Sequence, residues 1–213
     1  MEFDILYPEK EESLHNAECI VAATYFYEDE LIDLGVPKQA YEVKMPFSDL
    51  NEFEKAFKLW ESPLYLKKFY NDNLPYFEQD YWKGITAAEF IQDVTHSINQ
   101  IKAEFMNLFS NNQLHTIVEP LDCDDEARRL HQSIRVKIKQ GWIHRRLAFR
   151  FYAVEIEEDK CYLITGAAIK VHKDMMKAPN TSIEKAKLDA VLRDLDTKRI
   201  DTKESFINYI TTS

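Results

Sequence analysis

The spacing of apolar residues along this chain changes from a helical to a strand period near its middle. From position 90 the residues Phe90, Ile91, Val94, Ile98, Ile101, Phe105 and Leu108 recur mainly at three and four, which lines one face of an α-helix. Thr86 with Glu89 three positions later is a capping-box signature, so a helix is predicted over residues 87–109. Upstream, Leu50, Phe53, Phe57 and Trp60 share one helical face behind Ser48 as N-cap, and Ser62-Pro63 opens a second short helix. Residues 71–82 combine turn formers with four aromatics and are expected to be a packed loop. Residues 17–27 are almost continuously apolar, a pattern that leaves buried strand and buried helix equally open.

Beyond Pro120 the period shortens. Three strand-like runs, residues 134–139, 143–155 and 160–170, are separated by Gly141 and by the acidic triplet 157–159, so an antiparallel meander is predicted. In the first run Ile134, Val136 and Ile138 alternate with Arg135, Lys137 and Lys139, giving one apolar face and one row of positive charge. A short helix is expected over 124–132. Another is expected from Pro179, with Thr181 and Glu184 as a capping box and Ile183, Ala186, Leu188, Val191 and Leu195 as its buried face. A last helix is expected near 202–210. The predicted class is α+β, a helical N-terminal region followed by a small antiparallel sheet with flanking helices. A boundary is placed near residue 110, dividing a mainly helical region (1–110) from an α+β region (111–213).

Charge sharpens that division. Residues 1–110 hold 21 acidic against 9 basic residues, whereas 111–213 hold 16 against 18. Within the second part, residues 127–152 carry eight arginines and lysines and neither Asp nor Glu. In a chain of net charge −10, such a stretch is where an anionic partner is expected to meet the protein. The acidic N-terminus lacks the layout of a secretory signal, and no run of about 18 apolar residues occurs. The three cysteines show no paired spacing. These features predict a cytoplasmic protein without a membrane partner. Asp122, Asp124, Asp125 and Glu126 are read as an acidic first helical turn, not a metal site. Neither a metal nor a cofactor is expected, since no Gly-rich phosphate loop, zinc-protease motif or serine-hydrolase elbow occurs.

The run from Arg145-Arg146 through Leu163, Ile164, Gly166 and Lys170 to Pro179, Ile183, Glu184 and Ala186 resembles the C-terminal half of HigB- and phage-type members of the RelE toxin superfamily. The likeness spans about residues 134–195. Thr165 stands where the family motif has histidine and Ala167 where it has phenylalanine, and residues 171–177 read as an insertion. The resemblance implies metal-independent RNA cleavage, in which a ribose 2′-hydroxyl attacks the adjacent phosphate. The protein then positions the strand, stabilises the phosphorane and moves protons.

On that reading Arg145, Arg146 and Lys170 are the catalytic candidates, with His144 as a proton carrier. Arg135, Lys137, Lys139, Arg150, His172 and Lys173 are expected to contact RNA, and Trp142 or Tyr152 to stack on a base. The implied setting is a toxin–antitoxin or mobile-element system with RNA and an antitoxin or other protein as partners. The competing reading is a non-catalytic protein or nucleic-acid interaction module that keeps the fold. The oligomeric state is left open.

Overall fold

The computed structural model describes residues 1–36, 47, 49–79, 82, 84–121, 132–140, 147–158, 160–172 and 177–212, with the main chain alone at 11, 120, 132–140, 147 and 148. The fold is α+β. Strands β1 (Phe3–Tyr7), β2 (Ile20–Thr24), β3 (Val118–Pro120), β4 (Gln132–Gln140), β5 (Leu147–Glu155) and β6 (Cys161–Ile169) form one sheet in the order β1-β2-β6-β5-β4-β3. The meander predicted for β4, β5 and β6 is present, with antiparallel pairing throughout. The sheet is larger than the sequence suggested. β1 and β2 come from the first 110 residues, and β2 lies parallel to β6, with Ala22 opposite Leu163. Residues 17–27, whose period left two choices, therefore contain a central strand buried on both faces, where continuous apolarity replaces alternation.

Helices α1 (Glu28–Asp33), α2 (Glu52–Trp60), α3 (Pro63–Asp72), α4 (Leu74–Phe77) and α5 (Ala87–Ser110) precede the meander. Helices α6 (Pro179–Lys198) and α7 (Lys203–Thr212) follow it. The α5 start is as predicted: the Thr86 hydroxyl accepts from the Glu89 N–H, and the Glu89 carboxylate accepts from the Thr86 N–H at 2.7 Å. α3 likewise begins with Ser62 as cap and proline in its first turn.

Other boundaries differ from expectation. The α2 cap is Asn51, not Ser48. Its side-chain oxygen accepts from the Glu54 N–H at 2.9 Å while its NH₂ donates to Asp4 at 2.8 Å, a double role that a hydroxyl of one donor fills less well. Residues 71–72 close α3 and 74–77 form α4 with Asn73 as the turn between them, because burial of Phe77 and the Asn73 side-chain bond to the Phe69 carbonyl favour a second short helix over a loop. α6 begins at Pro179 with Ala178 as cap. The Thr181 hydroxyl donates to the Ala178 carbonyl, and Glu184 is engaged elsewhere, so the expected Thr181/Glu184 box does not form. The helix expected at 124–132 lies outside the described residues except Gln132, which starts β4.

Two cores flank the sheet. On one face Val21, Ala23, Phe149, Phe151, Ala153, Tyr162 and Ile164 meet α2, α3 and α5. On the other, Ile20, Ala22, Val154, Cys161 and Leu163 meet α6 and α7. A bulge in β6 changes the assignment midway. Ala153 pairs with Ile164 but Tyr152 pairs with Gly166, which leaves Thr165 as the extra residue. Even-numbered Tyr162 and Ile164 face the first core before it, and odd-numbered Ala167 and Ile169 afterwards. Cys19 and Cys161 are free and buried, and burial together with Cys19 and Glu157 pushes the Cys161 thiol up to about 12. Among the described residues no helix is long and apolar enough to cross a membrane.

Candidate nucleic-acid face and a buried ion chain

The register of the meander decides which side of the sheet carries the basic row. Arg135 pairs with Tyr152, Lys137 with Arg150 and Lys139 with Ala148, whereas Val136 pairs with Phe151 and Ile138 with Phe149. Directly opposed residues share a face, and Phe149 and Phe151 belong to the core under α2, α3 and α5. The positions of Arg135, Lys137 and Lys139 therefore lie on the opposite face, the one on which α6 covers β5 and β6. β3 reaches only as far as Val136, so Lys137 and Lys139 lie past the end of that neighbour.

The other predicted site residues fare differently. His144, Arg145, Arg146, Trp142 and Lys173 lie outside the described residues. Arg150 is on the same face as the basic row but is only 6% exposed, and its guanidinium Nη1 donates to the Phe149 carbonyl at 3.1 Å. It is therefore buried and not on an open surface. Tyr152 is 2% exposed, which removes it as a stacking platform. Lys170 follows the end of β6 and is half-buried. His172, also half-buried, lies edge-on to the Tyr76 ring at 5.5 Å. The main chain around it is tied to the first half of the protein: Trp82 Nε1 donates to the Val171 carbonyl at 3.3 Å and the Tyr76 hydroxyl to the Lys177 carbonyl at 2.5 Å. Lys170 and His172 are thus close in sequence beyond the strand end, while Arg150 stands within β5.

Three residues of the stretch that carries the family resemblance, Thr165, Gly166 and Glu184, are taken up by internal contacts. Thr165 is fully buried at the bulge, where its hydroxyl donates to the Tyr152 carbonyl at 3.3 Å. Gly166 leaves a niche that Glu184 fills: a Cβ at Gly166 would stand 1.6 Å from Glu184 Oε2. From that niche runs a chain of alternating buried charges. Lys187 Nζ contacts Glu184 Oε2 at 3.2 Å and Glu52 Oε2 at 2.5 Å, and Lys55 Nζ contacts Glu52 Oε1 at 2.7 Å. Lys55 also donates to the Phe26 carbonyl at 3.3 Å, and Lys187 lies 5.5 Å from the Phe26 ring centre. None of the four side chains exceeds 4% exposure. Burial, then the negative charge of Glu184, raise the pKa of the neighbouring Tyr65 well above its ordinary value.

The sequence carries no signal for this chain. Glu52/Lys55 and Glu184/Lys187 are each three apart on a helix, a spacing shared with countless solvent-exposed pairs.

Among the described residues no group of three or more His, Cys, Asp or Glu is arranged to hold a metal ion, and the acidic cluster at 122–126 lies outside them. Comparison of the chain with protein-family models, with curated proteins and with solved structures finds no match.

Proposed function

We propose that this protein is an RNA-binding α+β module that does not cleave its ligand. The observation that carries the reading is the split between the two halves of the toxin-like segment. Thr165, Gly166 and Glu184 are consumed by internal packing, whereas the register gathers Arg135, Lys137 and Lys139 on one face of a strand that outruns its neighbour β3. A row of cations spaced two residues apart along a strand suits the repeating charge of a nucleic-acid backbone, where affinity comes from counterion release and needs no proton transfer. The acidic first 110 residues oppose indiscriminate attachment to polyanions.

Binding is tested by fluorescence anisotropy with a labelled single-stranded RNA across a salt series. Replacing three phosphate-contacting cations in Arg135→Ala/Lys137→Ala/Lys139→Ala reduces the slope of log K against log salt by about 2. Equal affinity and equal slope for wild type and variant would refute the reading.

The second reading is an endoribonuclease, and it is favoured by one observation: Lys170 and His172, a cation and a titratable imidazole, are both partly accessible beyond the end of β6. Growth arrest with cleaved messages on induction of wild type, abolished in Arg145→Ala/Arg146→Ala/Lys170→Ala, would establish it over the binding module.

A further inference from the structure

Helices α2 and α6 belong to opposite layers of the molecule, yet the ion chain joins them. α2 packs with the aromatic core and α6 with the aliphatic one. The two meet where β2 has ended at Thr24 while β6 continues to Ile169. Asn180 in the first turn of α6 donates to the Ile169 carbonyl at 2.8 Å, and Glu184 one turn later fills the Gly166 niche.

The aliphatic side of α6 does not by itself define how far along β6 the helix sits. Ile183, Leu188, Val191, Leu192 and Leu195 are similar in bulk, and apolar contact has no direction. The ions do have direction. Sliding α6 by one turn, about 5.4 Å, would take the Lys187 ammonium away from Glu52 and the Glu184 carboxylate out of the only niche a glycine in β6 provides. Each would then be buried without its partner, an arrangement far more costly than a poorly matched aliphatic contact.

We propose that the chain Lys55–Glu52–Lys187–Glu184 is a register lock, which selects one docking position of α6 against β6 and α2 and adds little to the net stability of the fold. Taking paired charges out of water consumes most of what their attraction returns, so a well-filled apolar replacement is expected to be at least as stable, while the wrong registers lose their penalty.

Two full-length variants test this. Glu52→Gln strands Lys55 and Lys187 with too little negative charge and lowers the melting temperature by about 10 °C. The all-apolar variant Glu52→Met/Lys55→Met/Glu184→Met/Lys187→Met melts at or above the wild-type temperature. Its amide NMR signals from residues 179–198 broaden or double, and their hydrogen exchange accelerates at least tenfold, while those from residues 87–110 stay single and protected. A single sharp set of α6 signals with wild-type exchange in the apolar variant would overturn the lock. Melting of that variant as low as Glu52→Gln would overturn it too, by showing that the charges hold the helix through net stability. An unchanged melting temperature in Glu52→Gln would show that the chain does not form.

Discussion

The two faces of the sheet are built on different physics. The face under α2, α3 and α5 is dense with rings. Phe151 lies 4.3 Å from Phe105 and 5.4 Å from Trp60, ring centre to ring centre, with Phe53 and Phe57 close by. The face under α6 and α7 is mainly aliphatic, with Phe26, Phe206 and Tyr209 among its few rings, and it borders a buried chain of four charges. Rings interlock by shape, and their tilted and edge-on contacts already discriminate between arrangements. Aliphatic side chains discriminate less, and on their side of the molecule direction comes from the ion chain together with hydrogen bonds such as that from Asn180 to the Ile169 carbonyl. Specificity can therefore be placed in packing geometry on one face and in charge geometry on the other.

Substitutions chosen in matched pairs separate the two. The largest loss is expected from Phe151→Ala at the centre of the aromatic face, about 3–5 kcal/mol in urea denaturation. A loss below about 1 kcal/mol would mean that the rings do not act as one packed unit. Gly166→Ala, at the edge of the other face, forces Glu184 out of its niche and is expected to cost about 2–3 kcal/mol. Combined with Glu184→Ala it should cost less than the sum of the two singles, since both changes disturb one contact. Strict additivity would place Glu184 elsewhere.

Smaller effects come from the helix starts on each side. Thr86→Ala removes the cap of α5 on the aromatic face and should lower stability by about 1 kcal/mol, visible in the denaturation midpoint.

The counterpart on the other side is Glu157, whose carboxylate accepts from the Lys160 ammonium and from the Lys203 N–H at the start of α7. The Lys160 bond first, then the Lys203 bond, hold its pKa below the ordinary range. A carboxylate depressed in the folded state contributes its stability above the unfolded value, about 4.3, and loses it as pH falls through the lower folded value. Glu157→Gln should therefore be slightly less stable than wild type at neutral pH, and the difference should vanish in strong acid. A gap between the two melting temperatures that does not change with pH would show that the Glu157 charge is not involved. The effect is the smallest of the four because the pair is largely solvated.

Legibility from sequence followed the range of the interaction. The α5 cap at Thr86, the proline start of α3 and the β4-β5-β6 meander were readable because their signals lie within a few residues of the structure they specify. The misplaced cap of α2 shows the limit: Asn51 is chosen partly by its bond to Asp4, 47 positions away. Arg150 shows another. It was expected to contact RNA with the other basic residues, and the register does put it on their face, but a run of charges says nothing about what covers it, and it is buried.

The α+β class, the periods of the principal helices and strands, and the alternation that places Arg135, Lys137 and Lys139 together are written in the order of the residues, because these depend on local backbone geometry. That β2 joins β6, that a bulge at Thr165 exchanges the faces of β6, and that Lys187 meets Glu52 across 135 positions are settled only in the folded molecule. Those outcomes depend on which surfaces come together when the chain closes. A Glu–Lys pair three apart on a helix looks the same in sequence whether water or the protein interior surrounds it.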